Sequence, residues 1–85
     1  MDIKTQIRDY IAKNILYSDN GFDYEDDASF LEEGIIDSST TLELVLFLEE
    51  TYNVSVPDRD IVPDNFDSVE KLANYTSRKL AENGS

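Results

Sequence analysis

Four hydroxyl side chains follow a carboxylate in the run Asp37-Ser38-Ser39-Thr40-Thr41, directly ahead of the segment Leu42-Glu43-Leu44-Val45. A serine beside an acid at the start of a helix can attack a substrate, or it can serve as a point of attachment. Attack needs a base. The chain has no histidine and no cysteine, so neither a Ser-His-acid triad nor a Cys-His pair can be assembled. A Ser-Lys pair has no spacing in its favour, since the nearest lysines in sequence are Lys13 and Lys71. Attachment needs only an accessible oxygen in a setting that tolerates the added group. Side-chain oxygens of Asp, Ser and Thr can accept from the first free N–H groups of a helix, and Thr40 with Glu43 has the spacing of a capping box. The N-terminus of a helix also favours negative charge. A phosphodiester on Ser38 would be well placed there. By pattern alone, the run is a helix start and nothing more.

The elements that must position this serine can be read from apolar periodicity. Ile3, Ile7, Ile11 and Ile15 repeat every fourth residue, widened by Tyr10 and Leu16, and predict an amphipathic helix over residues 2–16. From 17 to about 36 the period disappears. Ser18-Asp19-Asn20-Gly21 supplies turn residues, and Phe30, Leu31, Ile35 and Ile36 are available as apolar anchors for a long loop. A second helix is expected over 39–52, with Leu44, Val45, Leu48 and Tyr52 facing a core, and Leu42 and Leu46 exposed among Glu43, Glu49 and Glu50. Pro57 suits the first turn of a short helix near 58–61, which Pro63 stops. Asp67 or Ser68 can cap a last helix whose inner stripe is Val69, Leu72, Ala73, Thr76 and Leu80, ending near Asn83 and Gly84. Three longer helices and one short one imply an all-α fold, a four-helix bundle occupying residues 1–85 as a single domain.

Composition narrows the function classes. The net charge is −12, from 19 acidic and 7 basic residues, which argues against nucleic-acid binding because that demands basic patches. Between residues 14 and 58 there is no Lys or Arg but there are twelve Asp and Glu. The field around Ser38 is therefore negative, and it would steer basic partners to this side. Asp23-Tyr24-Glu25-Asp26-Asp27 fails as a calcium loop, since counting from Asp23 puts Ala28 where glycine is needed and Gly34 where the closing glutamate is needed. No metal site is expected. No segment has the length and apolarity of a membrane span or an export signal, and a soluble, cytoplasmic monomer is the expectation.

The string Asp37-Ser38, followed by Leu42-Glu43-Leu44-Val45, then Leu48-Glu49-Glu50 and Val54-Ser55-Val56-Pro57-Asp58, resembles the acyl carrier protein family over essentially its whole length. The resemblance implies an acyl-carrier-type helical bundle without catalytic residues of its own. It implies a covalent 4'-phosphopantetheine, derived from coenzyme A, on Ser38, with Asp37 as its motif neighbour. It further implies a partner surface of Leu42, Glu43, Leu46, Glu49, Glu50 and Asp58. The partners would be a phosphopantetheinyl transferase, an acyl- or aminoacyl-loading ligase, and a downstream synthase or transferase with a basic docking surface. The expected function is that of a freestanding acyl carrier holding acyl groups as thioesters. The alternative within the family is an aminoacyl or peptidyl carrier, of the nonribosomal-synthesis or D-alanine-transfer type. From another class, an unmodified acidic helical adaptor is the competing reading. One position departs from the family pattern: many carriers have a bulky apolar residue after the modified serine, where this chain has Ser39. That residue bears on which enzymes recognise the chain.

Overall fold

A computed structural model describes the backbone of residues 2–84 and the side chains of residues 2–82. Three long helices dominate: α1 (Ile3–Asn14), α3 (Ser38–Tyr52) and α5 (Val69–Gly84). Single turns stand between them, namely α2 (Phe30–Glu33), a 3-10 turn (Asp58–Asp60) and α4 (Pro63–Phe66). Among the described residues there is no strand. The fold is the all-α bundle expected: the short helix expected near 58–61 is the 3-10 turn, and α2 and α4 are further single turns that the sequence reading did not include.

Each boundary has a local cause. Asp2 starts α1 by accepting the Thr5 N–H at 2.7 Å. The helix closes two residues before its apolar stripe does, because Tyr17 takes a left-handed φ of +52° and Ser18 N–H turns back to the Ala12 carbonyl at 2.8 Å. Ile15 and Leu16 nonetheless still pack against the core. Pro57 does not enter a helix; it precedes the 3-10 turn in extended backbone. Pro63 both ends that segment and opens α4 at its first position, where the missing N–H costs nothing.

The core lies between the long helices, with Ile7 and Ile11 of α1, Leu44 and Leu48 of α3, and Val69 and Leu72 of α5 almost wholly removed from water. α5 is the helix on which α1, α3 and α4 all pack. Its Thr76 is buried without loss, because its hydroxyl donates to the Leu72 carbonyl at 2.8 Å. Tyr75 is buried against Phe66, with ring centroids 5.6 Å apart, and its hydroxyl donates to Asp60 Oδ2 at 2.8 Å. This bond ties the 3-10 turn to α5.

The loop between α1 and α3 is anchored more firmly than its composition suggests. Ser29 caps α2, and Gly34 ends it at φ +66°. Phe30, Ile35 and Ile36 are buried as anchors, but Leu31, expected beside them, is 65% exposed. The one-turn helix can turn only one of two adjacent residues inward. Asp67 then clasps the loop: its carboxylate accepts the Ser29 hydroxyl and the Leu31 N–H, and its carbonyl accepts the Phe30 N–H at 2.7 Å. Farther back, Glu70 N–H donates to the Asp26 carbonyl, and Arg8 pairs with the Asp26 carboxylate at 2.6 Å.

Candidate attachment site at the start of the central helix

Buried Ile35 and Ile36 hold the chain just ahead of α3, and Asp37 turns it in extended backbone with φ −107°. Its Oδ1 accepts both the Thr40 N–H at 2.9 Å and the Thr40 hydroxyl at 2.8 Å. Its carbonyl accepts the Thr41 hydroxyl at 2.9 Å. Asp37 is therefore the cap, and α3 begins one residue earlier than the sequence predicts, with Ser38 as its first residue. The capping box of Thr40 with Glu43 does not form, because Thr40 already lies inside the helix. The Thr40 N–H bond, helped by the Thr40 hydroxyl, holds the Asp37 carboxyl below its ordinary value of 3.8.

This arrangement divides the four hydroxyls into two pairs. Thr40 and Thr41 are half-buried and engaged with Asp37. Ser38 and Ser39 are exposed, and neither hydroxyl bonds to another described residue. The two remaining oxygens are chemically available, and Ser38 is the one adjoining the acid. The residues fit an ester-linked phosphate at this point. Ser38 sits at the positive end of a 15-residue helix, and the negative charge of its neighbour Asp37 is already committed to Thr40.

Around Ser38 the apolar residues are unusually open. Leu42 and Leu46 are 59% and 57% exposed on α3, Leu31 projects from α2, and Val62 is exposed ahead of α4. Leu31 and Val62 also border a groove of about 120 Å³, with Phe30, Ile36, Thr41 and Phe66. Periodicity could not have found these two, since each lies in or beside a single turn. Glu43 and Glu50 are exposed on α3, as is Asp58 at the head of the 3-10 turn. Glu49 differs: it is half-buried, and its Oε2 accepts the Val56 N–H at 2.9 Å, closing the connection after α3. On the wheel, at about 100° per residue, Ser38, Leu42 and Glu49 share one flank, Leu46 and Glu50 form the crest, and Glu43 lies beyond it. Among the described residues, no helix is long and apolar enough to cross a membrane, and no group of three or more carboxylates is placed to hold a metal ion.

Comparison with known proteins agrees with this geometry. The family model described as a phosphopantetheine attachment site matches residues 5–76. A D-alanyl carrier protein of Lactobacillus delbrueckii subsp. bulgaricus is 34% identical over 80 residues, which cover 92% of this chain and 94% of that protein. A D-alanyl carrier protein of Leuconostoc mesenteroides is 35% identical over 72 residues, covering 85% and 88%. One of Bacillus subtilis is 29% identical over 77 residues, covering 91% and 96%. With its all-helical bundle and an open serine at a capped helix start, this chain belongs to the phosphopantetheine-dependent carrier proteins, which bear 4'-phosphopantetheine covalently and carry intermediates rather than catalyse a reaction.

Proposed function

We propose that this chain is an aminoacyl carrier of the D-alanyl type, with Ser38 as the attachment residue. The observation that carries the attachment is the division of the hydroxyls: Thr40 and Thr41 are bound to Asp37, while Ser38, next to the acid, is exposed and free. When attached, the cofactor supplies a terminal thiol able to hold an acyl or aminoacyl group as a thioester. The chain itself supplies the oxygen, a helix end that favours the phosphate charge, and a surface to be recognised. Since the chain has no cysteine, the cofactor thiol would be its only thiol.

The wider acyl cargo expected from the sequence narrows to D-alanine on two grounds. The carriers reported above are D-alanyl carrier proteins over nearly the whole chain. The apolar groove nearest the attachment helix start, at about 120 Å³, is well below the usual 300–1,000 Å³ of pockets for drug-sized ligands. A small cargo fits this surface better than a long hydrocarbon. The partners are then a phosphopantetheinyl transferase, a D-alanine-activating ligase and a transferase that accepts the amino acid. They would meet Leu42 and Leu46 with apolar side chains, and Glu43, Glu50 and Asp58 with basic ones.

Intact-protein mass spectrometry tests both parts. Incubation with coenzyme A and a phosphopantetheinyl transferase should add one phosphopantetheine, mapped to Ser38. Subsequent incubation with D-alanine and its ligase should add one alanyl group. Modification at Ser39 would overturn the attachment residue. Loading by fatty-acyl ligases with refusal of D-alanine would overturn the cargo.

A further inference from the structure

α1 and α3 each pack on α5, and side chains bridge the surface between them. Tyr10 stacks on Phe47 with ring centroids 4.2 Å apart and planes 19° from parallel. The Tyr52 hydroxyl donates to Gln6 Oε1. Both rings of the stack are only half-buried, and beside them lies an open groove of about 250 Å³ lined by Gln6, Asp9, Tyr10, Lys13, Phe47 and Thr51. Phe47 thus packs on Tyr10 and at the same time forms part of a surface.

The position of this groove separates it from the attachment serine. At about 100° and 1.5 Å per residue, Phe47 lies roughly 180° around α3 from Ser38 and about 13 Å farther along its axis. Leu42, in contrast, lies within about 40° of Ser38. The groove and the serine therefore occupy opposite flanks of one helix. Its electrostatics are also defined. Asp9 is exposed on the groove wall, and Lys13 is its one basic lining residue. Burial chiefly, then the charges of Glu43 and Glu50, raise the Tyr10 phenol above its ordinary value of 10.0. The field of those two glutamates thus acts at the Tyr10 hydroxyl.

We propose that the α1–α3 groove is a second docking surface, taking a cationic segment of a partner protein that lays an arginine or apolar side chain against the Tyr10–Phe47 stack. Charge complementarity selects this occupant. Asp9, Glu43 and Glu50 outnumber Lys13, and a guanidinium gains from both the acids and the aromatic faces. A second copy of this chain is disfavoured by its net charge of −12. A partner seated here shares Glu43 and Glu50 with the first surface but leaves Ser38 and Leu42 uncovered, so the carrier can be held at this groove while Ser38 stays accessible. The inference goes beyond the attachment reading and stands without it.

The test is an NMR titration of the isotope-labelled full chain at low salt with a synthetic amphipathic helical peptide of leucine and arginine. The largest shift changes should fall on Tyr10, Lys13, Phe47 and Thr51. The double variant Asp9→Lys, Thr51→Arg alters two exposed residues and should keep its helical circular dichroism while binding the peptide about fivefold more weakly. Leu46→Ala should leave the affinity read at Tyr10, Phe47 and Thr51 within about twofold of the parent. No perturbation at Tyr10, Phe47 and Thr51, or equal affinity read at those residues in a folded double variant, would overturn the proposal. Self-association of the chain, abolished by the same two substitutions, would overturn it in favour of a second copy.

Discussion

The dipeptide Asp-Ser occurs at Asp37-Ser38 and again at Asp67-Ser68, and each copy opens a long helix. The two are used in opposite ways. At α3 the acid is the cap, so the serine becomes the first helical residue and faces water. At α5 the serine makes the capping bond, accepting the Lys71 N–H at 3.0 Å, and is only 2% exposed. Its acid turns away and grips Ser29 and Leu31. The difference is one residue of register, and what lies over the helix end accompanies it. Residues 26–31 cover the start of α5 through the Asp26–Glu70 and Phe30–Asp67 backbone bonds. At α3 the acid instead bonds forward, into its own first turn. An acid and a serine make a helix start in both places; openness makes one of them a candidate for chemistry.

The sharpest way to break this comparison is to delete each serine hydroxyl. Ser38→Ala should abolish phosphopantetheine addition completely while barely moving the melting temperature. Ser68→Ala should leave addition intact but cost about 0.5–2 kcal/mol, because the Lys71 N–H loses its capping partner at a partly buried position. Mass spectrometry and thermal unfolding of the pair decide it; addition to the Ser38→Ala protein would end the assignment. The residues that follow extend the contrast. Val69 is wholly buried and Ser39 is exposed. Val69→Ala should destabilise by about 2–3 kcal/mol through lost transfer energy and a residual cavity, whereas Ser39→Ala should change stability by less than about 0.5 kcal/mol. Denaturant titrations giving similar losses would mean that the two helix starts are equally packed.

Much of this was legible in the sequence, and the reason is repetition. The stripes of Ile7 and Ile11, of Leu44 and Leu48, and of Val69, Leu72 and Thr76 span several turns, so period alone locates the three long helices. The one-turn pieces carry no period. Contacts distant in sequence fix them: Asp67 fastens α2, and the Asn65 side chain donates to the Asp60 carbonyl to join α4 to the 3-10 turn. The exposure of Leu42 and Leu46 followed from the wheel, but Glu49 was placed with them only because nothing local reveals its bond to Val56, seven residues on. At the site, it was the resemblance to carrier proteins, not the pattern of the run, that pointed to Ser38. Only geometry explains why the neighbouring threonines are unavailable.

The clasp offers a milder intervention on the covered side. Asp67→Ala removes the acceptor for the Ser29 hydroxyl and the Leu31 N–H while leaving the Ser68 cap in place. The expected loss is about 1–2 kcal/mol, since two donors lose their acceptor at a partly exposed position. Hydrogen exchange should localise it, with protection falling at Leu31 and staying high in the middle of α5. Uniform loss along α5 would show that Asp67 supports the helix rather than the loop.

The smallest expected effect separates the two Asp-Ser helix starts most directly, because of the pair only the start of α3 is capped by a titrating group. In the folded chain the Asp37 carboxyl lies below its ordinary 3.8, held down by the Thr40 N–H and then by the Thr40 hydroxyl. A folded value below the unfolded one gives stabilisation that is complete above the unfolded value and disappears as the pH falls through the folded one. The start of α3 should therefore loosen in acid, after the ordinary carboxylate range has been passed. The Ser68 hydroxyl has no proton to gain in that range, so the start of α5 lacks this source of acid sensitivity. An NMR titration of the Thr40 amide should report an apparent value below 3.8, and Asp37→Asn should remove that step while preserving the cap, since asparagine caps about as well as aspartate. A Thr40 titration at or above 3.8 would show that the bond holding Ser38 at the first position of the helix does not favour the ionised acid, and the electrostatic contrast between the two Asp-Ser pairs would collapse to one of burial alone.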